Sequence, residues 1–120
     1  MALTILYVED FKIVADAVKD MLGSEGWHVE TCEDGLAALS LIESGEHYDL
    51  LMLDNELPRM NGLELVRRAR KLPHHQRTPI IVVSASEVGT EARRAGADVF
   101  LRKPQDVGLL VGTVKELVKR

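Results

Sequence analysis

Residues 50–54 read Leu50-Leu51-Met52-Leu53-Asp54, four apolar side chains in a row closed by one carboxylate. A run this short and this uniformly apolar fits a strand buried on both faces. The same pattern occurs near the start of the chain, where Ile5-Leu6-Tyr7-Val8 is followed by Glu9-Asp10. A third run, residues 80–83, ends in Ser84, and Val99-Phe100-Leu101 leads through Arg102 to Lys103-Pro104. In an open parallel sheet, ligands bind beyond the carboxyl ends of the strands. One edge would then gather three carboxylates, one hydroxyl and one ammonium group.

The stretches between these runs read as helices. Ile13, Val14, Ala17, Val18, Met21 and Leu22 recur at helical spacing, and Gly23 or Gly26 stops the helix. A short, partly polar strand is expected over residues 29–32. Asp34 can cap a helix carrying Leu36, Leu39 and Ile42 that ends near Gly45. Asn61-Gly62 closes the loop after Asp54, and a helix follows with Leu63, Leu65, Val66 and Ala69, running to about Leu72. A short helix is expected over residues 90–95, ended by Gly96. Leu109, Leu110, Val114, Leu117 and Val118 mark the last helix. Five strand–helix units in alternation predict an α/β fold: a doubly wound parallel sheet with right-handed crossovers. His74-His75-Gln76-Arg77 reads as a solvated polar turn rather than a metal site.

The length of 120 residues fits one domain, residues 1–120. A net charge of −4 and the lack of a basic stripe argue against direct nucleic-acid binding. The single cysteine, Cys32, excludes an internal disulfide and reads as a small buried hydrophobe. No apolar stretch approaches the roughly 18 residues of a membrane span. Met1-Ala2-Leu3 leads straight into a strand, with no signal-peptide pattern, so a cytoplasmic protein is expected.

Glu9, Asp10 and Asp54 together suit a hard cation. A magnesium ion takes near-octahedral oxygen ligands and keeps several waters. Without a cation the carboxylates repel, and at least one pKa should rise. A carboxylate can also act as a nucleophile toward phosphorus, in chemistry that depends on positioning and charge neutralisation. Lys103 is placed to supply a second positive charge, and Ser84 to donate to a phosphoryl oxygen.

The ordered set resembles a response-regulator receiver domain, the CheY-like fold of two-component signalling. The matching motifs are Glu9-Asp10, Asp54 with Pro58 and Gly62, Ser84, and Lys103-Pro104, and the resemblance covers essentially the whole chain. It implies a flavodoxin-like sheet of order 2-1-3-4-5. It also implies roles: Asp54 as phosphoacceptor, and Glu9, Asp10, Asp54 and the backbone carbonyl of Glu56 around Mg2+. Lys103 would pair with the phosphoryl group and join Pro104 by a cis peptide, and Ser84 would be the switch hydroxyl. Phe100 is either the switch aromatic or a plain core residue. A sensor histidine kinase or phosphotransfer protein would donate the phosphoryl group, and a downstream effector would read the result. The protein would catalyse only its own phosphorylation and dephosphorylation and would not be an enzyme acting on other substrates.

Several positions depart from the family pattern. Glu56 adds a fourth carboxylate, Asn55 and Gln105 are polar, and Phe100 lacks a hydroxyl. The segment from Ser84 to Gly96 is short by about one helical turn. These departures motivate a second reading, a phosphorylation-independent pseudo-receiver that binds partner proteins. A flavin carrier or a phosphatase is a third. Against it, the acidic first loop would repel a phosphate, and no second Asp follows the first strand in the pattern a phosphatase would use.

Overall fold

Successive side chains of a strand point to opposite faces, and both faces of this sheet are apolar. Leu6, Val8, Leu51, Leu53, Ile80 and Val82 point one way; Ile5, Tyr7, Leu50, Met52, Ile81, Val83 and Leu101 point the other. Such a sheet must be covered twice. The computed structural model describes residues 3–119 and shows that arrangement. Its elements are β1 (Thr4–Val8), α1 (Lys12–Gly23), β2 (His28–Cys32), α2 (Gly35–Glu43), β3 (Leu50–Asp54), α3 (Gly62–Arg70), β4 (Ile80–Ser84), α4 (Gly89–Ala95), β5 (Val99–Arg102) and α5 (Leu110–Val118). The strands pair in parallel in the order β2-β1-β3-β4-β5. This is the flavodoxin-like, doubly wound order.

Ala38, Leu39 and Ile42 of α2, Leu65, Val66 and Ala69 of α3, and Ala92 of α4 cover the first face. Ala15, Val18 and Leu22 of α1 and Leu110, Val114 and Leu117 of α5 cover the second. Asp34 caps α2 as the sequence suggests, accepting from Ala37 N, and the turn residue Asn61 caps α3 as well, accepting from Glu64 N. The strand alternation puts Asp54 in the row of Leu50 and Met52, at the carboxyl end of β3.

The structure corrects several details. Ile13 is 74% exposed and Ala17 is exposed, because the buried stripe of α1 runs through Ala15, Val18 and Leu22 instead. Leu36 and Leu109 are exposed as well. Helix α3 stops at Arg70, and a short 3-10 turn at Pro73–His75 follows. His75 is not a solvated turn residue: it is buried, with Nδ1 2.9 Å from Thr78 Oγ1 and its ring near Tyr48. Cys32 is half-buried against the core. Helix α4 has seven residues, in keeping with the shortened segment. The direct lead-in at Met1-Ala2 lies outside the described residues.

Candidate functional site

The segments following β1, β3, β4 and β5 build the carboxyl edge. Glu9 continues the ladder past β1, with its N–H donating to Cys32 O at 3.0 Å, and this turns its side chain inward. Its Oε2 accepts from Phe11 N at 3.2 Å, and its Oε1 accepts from Tyr7 Oη at 3.3 Å and from Lys103 Nζ at 3.0 Å. Asp54 is buried at the end of β3. Its Oδ2 accepts from Lys103 Nζ at 2.9 Å and its Oδ1 from Glu56 N at 3.1 Å. Asp10 is exposed beside them, and one carboxylate oxygen from each of Glu9, Asp10 and Asp54 lies within 4.8 Å of the others. The Glu56 carbonyl accepts no backbone hydrogen bond among the described residues.

Lys103 reaches this cluster from the β5–α5 loop. The Lys103–Pro104 peptide is cis, and Lys103 N donates to Ser84 O at 2.9 Å. Asp106 fixes the loop: its Oδ2 accepts from Arg102 N at 2.9 Å while its N–H donates to Arg102 O at 2.8 Å.

Two glycines allow the loops to close. A Cβ on Gly62 would collide with Asp54 O and sit 3.0 Å from Asn55 Cα, so α3 can start directly against the backbone of Asp54 only without a side chain there. A Cβ on Gly89 would lie 3.1 Å from Phe100 Cδ2. The half-buried Phe100 ring therefore rests against the first residue of α4.

The electrostatics follow from burial and from the uneven count of charges. Burial, reinforced by the hydrogen bond to Glu9 and opposed by Lys103, pushes Asp54 up to about 7. Burial also raises Glu9, but its hydrogen bonds with Asp54 and Lys103 outweigh this and leave it below the usual carboxylate range. Lys103 is lowered by burial and raised more by its two carboxylate partners, so it stays charged. Burial and the neighbouring carboxylates raise Tyr7 far above its ordinary value, so it remains a neutral donor. Two buried carboxylates with one ammonium leave a net negative site. Asp10 adds a third carboxylate at its mouth, and this is the donor chemistry of a hard divalent cation.

Glu9, Asp10, Asp54 and Lys103 thus come together. Ser84 is buried at the same edge, but its hydroxyl donates to Glu56 Oε2 at 2.6 Å. Glu56 Oε1 also accepts from Ala85 N at 3.2 Å. The sequence marked Glu56 as an unusual acid without indicating these partners. It did not single out Arg102, whose Nε donates to Ala85 O at 2.8 Å and whose terminal nitrogen pairs with Glu87 at 2.7 Å.

Known proteins share this architecture. Residues 5–115 match the family model described as the response regulator receiver domain. The response regulator MprA of Mycobacterium bovis is 34% identical over 123 residues, covering 100% of this chain and 52% of that protein. The transcriptional regulatory protein CpxR of Klebsiella pneumoniae is 34% identical, covering 97% of this chain and 49% of that one. The chain spans about half the length of the curated relatives it matches. A CheY-like receiver domain protein from Methanospirillum hungatei superposes with a TM-score of 0.90 at 30% identity, over 99% of this chain and 95% of that one. The receiver domain of the Pseudomonas aeruginosa sensor histidine kinase PA1611, solved with a magnesium ion in its active-site cleft, gives a TM-score of 0.90 at 27% identity over 100% of both chains. Sheet order, acidic edge and family match agree, and the chain belongs to the response regulator receiver domain family of two-component signalling.

Proposed function

We propose that this chain is a phosphorylatable receiver. It accepts a phosphoryl group on Asp54 from a sensor histidine kinase or a phosphotransfer protein, and phosphorylation changes its affinity for a downstream effector. The observation that carries this reading is the Asp54 carboxylate held between Lys103 Nζ and the Glu56 amide, beside Glu9 and Asp10.

In the transfer, an Asp54 carboxylate oxygen attacks phosphorus. The new O–P bond forms as the donor's N–P bond breaks, and the departing imidazole keeps the electron pair and takes a proton from solvent. Lys103 balances the charge that gathers on the transferred oxygens. Glu9, Asp10, Asp54 and the Glu56 carbonyl would hold Mg2+. That ion, when bound, would supply positive charge to offset the site's carboxylates and an incoming phosphoryl group. Ser84 supplies the switch hydroxyl, and Phe100 moves with the β4–α4 loop. The chemistry acts on the protein's own side chain, so the chain is a signalling module rather than an enzyme with turnover on other molecules. We place it in the cytoplasm; among the described residues, no helix is long and apolar enough to cross a membrane.

Intact mass after incubation with a small phosphodonor tests the reading. Wild type with magnesium should gain one phosphoryl group, and Asp54→Asn should gain none. Equal incorporation in Asp54→Asn would refute the assignment. No gain in folded wild type with magnesium would favour a binding module that works without phosphate.

A further inference from the structure

Ser84 has one hydroxyl proton, and it is committed. It goes to Glu56 Oε2 at 2.6 Å, while the Ser84 oxygen accepts from Ser86 N at 3.0 Å. The next amide, Ala85 N, donates to Glu56 Oε1 at 3.2 Å, and Asn55 Nδ2 is the third donor to this carboxylate, reaching Oε2 at 3.2 Å. One carboxylate thus gathers the hydroxyl and the amide at the end of β4, the strand beside Asp54. The backbone N–H of the same residue holds Asp54 Oδ1. Arg102 braces the loop from its other side through Ala85 O and Glu87.

We propose that the Glu56 side chain is an internal competitor of the phosphoryl group, occupying the Ser84 hydroxyl and the Ala85 amide until phosphorylation displaces it. This rests on the phosphoryl-transfer reading above. A phosphoryl group on Asp54 brings added negative charge and new acceptor oxygens. It would repel the Glu56 carboxylate and compete for the same two donors. The unphosphorylated loop is therefore not slack: Glu56 already fills its donors. Phosphorylation exchanges one anion for another, and the net gain is smaller than it would be with a neutral residue at position 56. Glu56 acts here through Ser84 and Ala85 and is a positioning residue.

The test measures beryllofluoride affinity with magnesium, by fluorine NMR, in wild type, Glu56→Ala, Ser84→Ala and the double variant. Amide shifts of Ala85 and Ser86 are recorded in the metal-free proteins. Glu56→Ala should bind beryllofluoride about ten-fold more tightly, since hydrogen bonds to a charged group no longer have to be broken. In the Ser84→Ala background the gain should shrink to about three-fold or less, because part of the contested ground is gone. The Ala85 amide should shift on Glu56→Ala with no metal present. A gain of equal size in both backgrounds would mean simple charge repulsion and would overturn the competition. An unchanged affinity or an unmoved Ala85 amide would overturn it as well. If no variant binds beryllofluoride while all remain folded, the phosphoryl-transfer reading itself fails, an outcome distinct from tight binding that ignores Glu56.

Discussion

Lys103 Nζ donates to Asp54 Oδ2 at 2.9 Å, joining residues 49 positions apart in the chain. The same ammonium reaches Glu9 Oε1 at 3.0 Å, so one cation serves two buried carboxylates. Lys103→Met should keep the stem's packing and remove the charge. Beryllofluoride affinity should fall at least about ten-fold. The metal-free protein should lose about 1–3 kcal/mol, the cost of leaving buried acceptors without their donor. Chemical denaturation and fluorine NMR check both effects; an affinity within two-fold of wild type would remove Lys103 from the site's chemistry.

Burial makes the negative charge of Asp54 unfavourable. Its folded pKa of about 7 lies above the ordinary 3.8, so the native state holds this proton more tightly than the unfolded chain does. The contribution is favourable below about pH 3.8 and is lost as pH rises toward 7. Asp54→Asn carries no such charge. It should therefore raise metal-free stability by about 1–3 kcal/mol at pH 8, a range that allows for the opposite shift of Glu9. The gap should narrow at pH 4, and also when magnesium is added, because a ligand of the native state stabilises wild type. Equal stabilities at pH 8 would contradict the assigned strain.

Much of this was legible in the sequence because the strands are buried on both faces. Continuous apolar runs such as residues 50–53 have one natural home, and the acids that follow them fall on one edge whatever the helices do. Asp34 caps α2 as its position suggests, since a cap is a local bond, whereas Asn61, read as turn chemistry, also caps α3. The contacts that were missed are non-local. Ser84 and Glu56 are 28 residues apart, and their bond depends on how two loops approach. The register of α1 was missed for another reason: Ile13 fits a helical stripe by spacing but falls on its solvent side. His75 is buried because the Arg70 guanidinium, from α3, ties down His75 O at 2.8 Å and Thr78 O at 2.7 Å, which polarity alone does not foretell.

That burial has a pH consequence. The Thr78 hydroxyl donates to His74 O, so it accepts from the His75 Nδ1–H, and His75 Nε2 is left without a hydrogen-bond partner among the described residues. Burial, then the positive field of His74, Arg70 and His47, lowers the His75 pKa below 6.5; the Ile42 carbonyl opposes this. Tyr48 stacks on the ring and adds no positive charge. A depressed base gives stability that is full above about pH 6.5 and falls as pH drops toward the folded pKa. His75→Phe keeps the stack and does not titrate. Between pH 7 and pH 5 wild type should lose about 1 kcal/mol more than this variant. The other histidines are present in both proteins, so parallel stability curves would show that His75 is not the sensitive group.

Gly62 and Gly112 separate crowding from helix propensity. Both sit in helices, but a Cβ on Gly62 meets the backbone of Asp54 and Asn55, while nothing lies within 4 Å of one on Gly112. Backbone atoms cannot swing away as a flexible side chain can. Gly62→Ala should cost about 1–3 kcal/mol and should also displace Asp54 from the Glu56 amide, slowing phosphoryl incorporation. Gly112→Ala, in α5 and away from the site, should instead add about 0.5–1 kcal/mol with incorporation unchanged. Urea denaturation and intact mass read both variants side by side. A Gly62→Ala protein as stable and as reactive as wild type would mean that α3 can back away from β3, and that the close approach of Gly62 does not hold Asp54 in place.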